Sequence, residues 1–173
     1  MEKEQLEEGR FKFLKKIILI LIGMFLLILI LSYFLLGDLF YVFEGRGSSF
    51  EIENFIVEFK NGKIIFKENV YNDLKSIYFY NQEKEIKVCL IGEKTDNYYI
   101  SDFYIPEIIS NDFRSVVSEE CDERSLISLH THPYKRCLFS DQDIKNYESF
   151  KKINKDGIIG IMCEKRRFSF YGG

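Results

Sequence analysis

Only two prolines are present among 173 residues, and Gly numbers 11, so a collagen-like, Pro-rich or low-complexity chain is excluded. No block of basic residues occurs and the formal charge is −3. A nucleic-acid partner therefore has no electrostatic footprint here. The four cysteines, Cys89, Cys121, Cys137 and Cys163, contain no C-x-x-C pair, which excludes a zinc ribbon and a thioredoxin-like motif. Their even number permits two disulfides, and buried free thiols fit equally well, because Cys89 and Cys163 lie in apolar runs. Histidine occurs only twice, at His130 and His132. No internal repeat is visible.

What is present divides unevenly. Ile17 to Leu36 reads IILILIGMFLLILILSYFLL, twenty residues without a charge. At about 1.5 Å per residue this covers a hydrocarbon core of roughly 30 Å. A buried soluble helix would seldom be apolar on every face. A cleaved signal peptide would have a shorter apolar stretch and a small-residue cleavage site, and no such site follows before Glu44. An uncleaved single-pass anchor is the expectation. Lys3, Arg10, Lys12, Lys15 and Lys16 precede the span, whereas only Arg46 is basic in the twenty residues after it. The positive-inside rule then puts residues 1–16 in the cytoplasm as a tail, residues 17–36 in the membrane, and the rest outside.

Residues 37–49, with Gly45-Arg46-Gly47-Ser48-Ser49, read as a juxtamembrane linker, and 50–173 as one domain. The alternation over 55–59, Asn61-Gly62 and the apolar run 63–66 predict a hairpin. Val70, Leu74, Ile77 and Tyr78 at helical spacing predict a helix over 68–80. Strands are expected over 86–91, 98–105, 126–130, 158–163 and 168–171, and a helix over 140–152 with Ile144 and Tyr147 inward. Interspersed strands and helices predict an α/β or α+β domain around one mixed sheet.

The chemistry concentrates in Leu129-His130-Thr131-His132-Pro133 and Ser140-Asp141-Gln142-Asp143. On a strand, residues i and i+2 share a face, so both imidazoles can meet one ion. Ser140 and Asp143 stand three apart at a helix start. Two His and one carboxylate leave a fourth position open for water, which is the catalytic zinc pattern. Bound zinc can bring the pKa of water to about 7, and a general base is then needed. Taken singly, an H-x-H pair can be a surface accident and Ser-x-x-Asp a helix capping box. H-x-H also opens metal-dependent hydrolase barrels, but 41 residues after His132 cannot complete one. Zinc deaminases need a P-C-x-x-C segment that is missing.

His130-x-His132, seven residues, then Ser140-x-x-Asp143 resembles the JAMM motif of the MPN+/Mov34-like zinc metalloproteases. Glu85, seven residues before Gly92, fits the upstream glutamate of that family. The resemblance runs from about residue 63 to 173. It implies an αβα sandwich with a mixed sheet, JAMM- and deaminase-like, with Zn2+ on His130, His132 and Asp143. It further implies Glu85 as the base acting on water, and Ser140 as a donor to the oxyanion. The implied reaction is hydrolysis of a peptide or isopeptide amide, including that of a ubiquitin-like conjugate. The chain departs from the pattern in having Val88 where many members have Gly, and no Trp before the His pair. A non-catalytic, membrane-anchored binding module of the same fold is the alternative.

Overall fold

The computed structural model describes residues 2–112 and 115–173, and side chains outside 1–10, 34–41 and 113–114. Two compact units are formed, Met1–Phe40 and Tyr41–Gly173. The first helix, α1, covers Glu2–Ser48. Within it Phe11–Tyr33, 23 residues of mean hydropathy 2.8, is long and apolar enough to cross a membrane, and none of it is buried in protein. This window starts six residues before the expected 17–36.

The segment expected as a linker is helical over its described part. Gly45, Arg46, Gly47 and Ser48 continue α1 instead of forming a loop. Hydroxyl groups supply the reason. Ser48 Oγ donates to the carbonyls of Glu44 and Gly45, and Ser49 Oγ to that of Arg46, so carbonyls that a helix end leaves orphaned find partners. Arg167 Nη1 adds contacts to the Arg46 and Ser49 carbonyls at 3.5 Å. Gly45 is buried, and a Cβ there would come within 2.9 Å of the Cys137 backbone nitrogen. This glycine is a close-packing residue.

The second unit is built on one eight-stranded mixed sheet of order β1-β10-β9-β8-β4-β5-β3-β2. The strands are β1 (Phe50–Glu51), β2 (Ile56–Phe59), β3 (Gly62–Phe66), β4 (Lys87–Lys94), β5 (Tyr98–Tyr104), β8 (Ser125–Thr131), β9 (Ile158–Glu164) and β10 (Arg167–Tyr171). Helix α2 (Glu68–Tyr80) follows β3, and α3 (Asp141–Ile153) joins β8 to β9. That last pair is parallel, as a helical crossover requires. A separate hairpin, β6 (Ile108–Asn111) with β7 (Val116–Ser118), lies outside the main sheet. This hairpin and β1 add to the expected elements. The Asn61-Gly62 turn, both helices and the other strands stand close to the predicted ranges.

Side-chain alternation assigns the helices to opposite faces. Val88, Leu90, Ile127 and Leu129 form one core with Val70, Leu74 and Tyr78 of α2. Cys89 and Ile159, pointing the other way, pack with Phe150 of α3. The helices thus sandwich the sheet. Tyr78 donates its hydroxyl to the Cys163 carbonyl at 2.6 Å, and burial pushes its pKa up to about 12.

The free-thiol reading is overturned. Cys89 pairs with Cys121 and Cys137 with Cys163, with Cα atoms 5.5 and 5.2 Å apart, the usual span of a cystine. Both join segments remote in sequence, so neither pairing could be read from spacing. By the chain-entropy argument, loops of this size contribute about 3–4 kcal/mol each.

Candidate metal centre

β8 is an interior strand between β4 and β9. Its alternation sends Ile127 and Leu129 into the α2 core and leaves His130 and His132 for the α3 side. Pro133 opens a 3-10 turn, Pro133–Lys135, immediately after His132. In this turn Tyr134 and Lys135 take positive φ of 60° and 59°. The reversal brings the Arg136 carbonyl back to His132, whose Nδ1 lies 2.8 Å from it. His132 therefore carries its proton on Nδ1 and presents an unprotonated Nε2. Orienting an imidazole through its remote nitrogen is the usual support for a metal ligand.

His130 Nε2 stands 2.9 Å from His132 Nε2 and 3.3 Å from Asp143 Oδ1. Glu85 Oε1 is 3.5 Å from His132 Nε2. Ligand atoms of Glu85, His130 and His132 all lie within 4.8 Å of one another, while Asp143 stands outside that group and meets it through His130. A tetrahedral ion about 2.0–2.1 Å from nitrogen and oxygen donors sets donor separations of about 3.3 Å. The His130–Asp143 distance of 3.3 Å matches, the 2.9 Å nitrogen pair needs to open by a few tenths of an ångström, and Asp143 has to draw nearer His132, because it is Glu85 that completes the close group with the two imidazoles. This donor set fits a divalent ion of the imidazole-and-carboxylate class, zinc among them.

Asp143 reaches this place through the start of α3. Ser140 is the N-cap, and its hydroxyl accepts from the Asp143 N–H at 3.2 Å. Asp143 Oδ2 in turn accepts from the Ser140 N–H and Oγ–H, both at 2.7 Å. The capping box occupies one carboxylate oxygen and leaves the other toward His130. The capping-box and ligand readings of Ser-x-x-Asp are therefore compatible. The Ser140 hydroxyl, expected to serve an oxyanion, is here donated to Asp143.

Electrostatics separate the groups. Burial, reinforced by Asp143 and Asp112, pushes Glu85 up to about 8 against the lowering field of Arg136. Burial, with His132 beside it, brings His130 down to about 3, and burial likewise lowers His132. Both imidazoles are consequently neutral at pH 7, the form in which they bind metals. All four groups, with Ser140, line a cleft of about 500 Å³ that also takes in Val116, Val117 and Ser118 of β7. That size lies in the range of small-ligand sites.

Every sequence-predicted site residue is thus found at one place. Three contributors were not anticipated: the Arg136 carbonyl, the Asp112 field and the β7 wall. The first two act through backbone or through space and carry no motif. Comparison with known proteins adds nothing to this geometry: no protein-family model matches the chain, and no curated protein matches it.

Proposed function

We propose that this chain is a membrane-anchored, metal-dependent hydrolase of amide bonds in a protein or peptide. The reading rests on the close group of Glu85, His130 and His132 in a cleft, with Asp143 3.3 Å from His130, and on their JAMM-like spacing. By that resemblance His130, His132 and Asp143 would hold the ion, and the mixed sheet with a helix on either face supports the reading without identifying the family. Bound zinc supplies a Lewis acid and an acidified water. The remaining work belongs to the chain. Glu85 would take a proton from the water and return it to the departing nitrogen, and a cation bound beside it would favour the ionised carboxylate that this role needs. Ser140 steadies Asp143 and, once its hydroxyl turns from Oδ2, donates to the oxyanion.

The domain faces the side away from the cytoplasm. Five basic residues stand before the span and one in the twenty residues after it, and every cysteine is paired, which suits an oxidising compartment. A substrate there is an exported or surface polypeptide, and a cytosolic ubiquitin-like conjugate fits less well.

Zinc content of the full-length protein in detergent tests the centre. One zinc per chain in wild type and Glu85→Gln, lost in His132→Ala, supports it. A folded wild type that takes up no supplied zinc overturns it and favours the binding module. Protease digestion of a C-terminal tag on intact cells tests the orientation, and a tag that stays protected reverses it.

A further inference from the structure

Glu85 lies outside the ladder that carries the histidines. β4 begins at Lys87, paired with His130, so Glu85 and Ile86 approach the site without regular strand partners. Two other residues hold them. The next antiparallel pair would be Ile86 with Thr131, exchanging two backbone bonds. Only one of these forms, from the Thr131 N–H to the Ile86 carbonyl at 2.9 Å. The Ile86 N–H donates instead to Thr131 Oγ1, also at 2.9 Å. A side-chain oxygen thereby takes the place of the carbonyl, at the step before Glu85 meets His132. One residue further out, the hairpin takes over. The Glu85 N–H donates to the Asp112 carbonyl at 2.7 Å, and Asn111 Nδ2 donates to the Glu85 carbonyl at 3.1 Å.

We infer that Thr131 and Asn111 are positioning residues that fix the Glu85 carboxylate against the metal centre. The inference rests on the reading of Glu85, His130 and His132 as that centre. Thr131 is 2 % exposed and stands between His130 and His132 in the sequence, so the residue that holds the Ile86 peptide belongs to the same segment as both histidines. Asn111 ends β6, and β7 of the same hairpin walls the cleft. The group that holds Glu85 by its peptide is therefore continuous with the surface a substrate touches. Removing either hydrogen bond leaves a peptide group without its partner and lets Glu85 shift.

Cobalt(II) bound to the full-length protein in detergent provides the test, because its visible spectrum reports the surroundings of the ion without turnover. Glu85→Gln defines the spectrum of a centre with an altered base. Thr131→Val and Asn111→Ala are expected to move the wild-type spectrum toward that of Glu85→Gln. Thr131→Ser, which keeps the hydroxyl, is expected to retain the wild-type spectrum. Wild-type spectra in both Asn111→Ala and Thr131→Val overturn the inference, and so does a Thr131→Ser spectrum matching that of the valine variant. Should Thr131→Val fail to fold, Asn111→Ala decides on its own. A wild type that binds no cobalt sinks the metal centre itself, a failure distinct from the others.

Discussion

His132 is oriented by the carbonyl of Arg136, 2.8 Å from its Nδ1, and the next residue, Cys137, is bound to Cys163 of β9. The Cys137 carbonyl also accepts from the buried Ser169 hydroxyl at 2.7 Å. The loop that aims this imidazole is thus fastened covalently to the neighbouring strand. Replacing both Cys137 and Cys163 by Ser should cost about 3–4 kcal/mol of stability and weaken metal binding about 10-fold. Denaturant melts and a chelator-competition titration would check the two effects. An unchanged affinity would show that the Arg136 carbonyl stays in place without the cystine.

The metal-free domain should have a stability maximum on the acid side of neutrality. Glu85 is raised from 4.5 to about 8, so the stability it contributes is complete below about pH 4.5 and is lost as pH rises through 8. His130 is lowered from 6.5 to about 3, so its contribution is present above 6.5 and is lost as pH falls through 3. Melting temperatures of chelator-treated protein between pH 3 and 9 measure both arms. Glu85→Gln should flatten the alkaline arm and spare the acid one.

Ser140→Ala should cost about 1 kcal/mol, the ordinary value of an N-cap, and lower the melting temperature by a few degrees. It also removes the Oγ–H bond to Asp143 Oδ2, so metal affinity should fall several-fold. Ser140→Thr should restore both. Circular dichroism melts with and without zinc separate the helix effect from the ligand effect.

Tyr98 is 1 % exposed, and its hydroxyl has no hydrogen-bond partner among the described residues. A buried polar group left unpaired costs about 1–3 kcal/mol. Tyr98→Phe should therefore stabilise the domain by about 1 kcal/mol, measured by urea melts, while Tyr98→Ala should destabilise it by about 3–5 kcal/mol.

Much of the site could be read from residues alone because strand geometry guarantees it. Residues i and i+2 share a face on any strand, so His130 and His132 could be joined without coordinates. Ser140 and Asp143, on one helical turn, are local in the same sense. The hairpin of β6 and β7 left no such trace. Its strands have four and three residues, are half exposed, and lack an Asn-Gly or Asp-Gly turn. The packing role of Gly45 also left no trace: glycine serves a loop and a tight contact alike, and only the proximity of Cys137 tells them apart. Thr131 was passed over since its role depends on which strand lies beside β8.

Pairing all four cysteines also settles which atoms compete for an ion. Thiolates bind soft and borderline metals avidly, and Cys137 stands only five residues beyond His132. While it is reduced, a passing metal has a sulfur within reach. Once the cystines close, the folded domain offers no sulfur from cysteine, only nitrogen and oxygen. On the proposed metal reading, a chain oxidised first and metallated second would avoid a thiolate-bound intermediate.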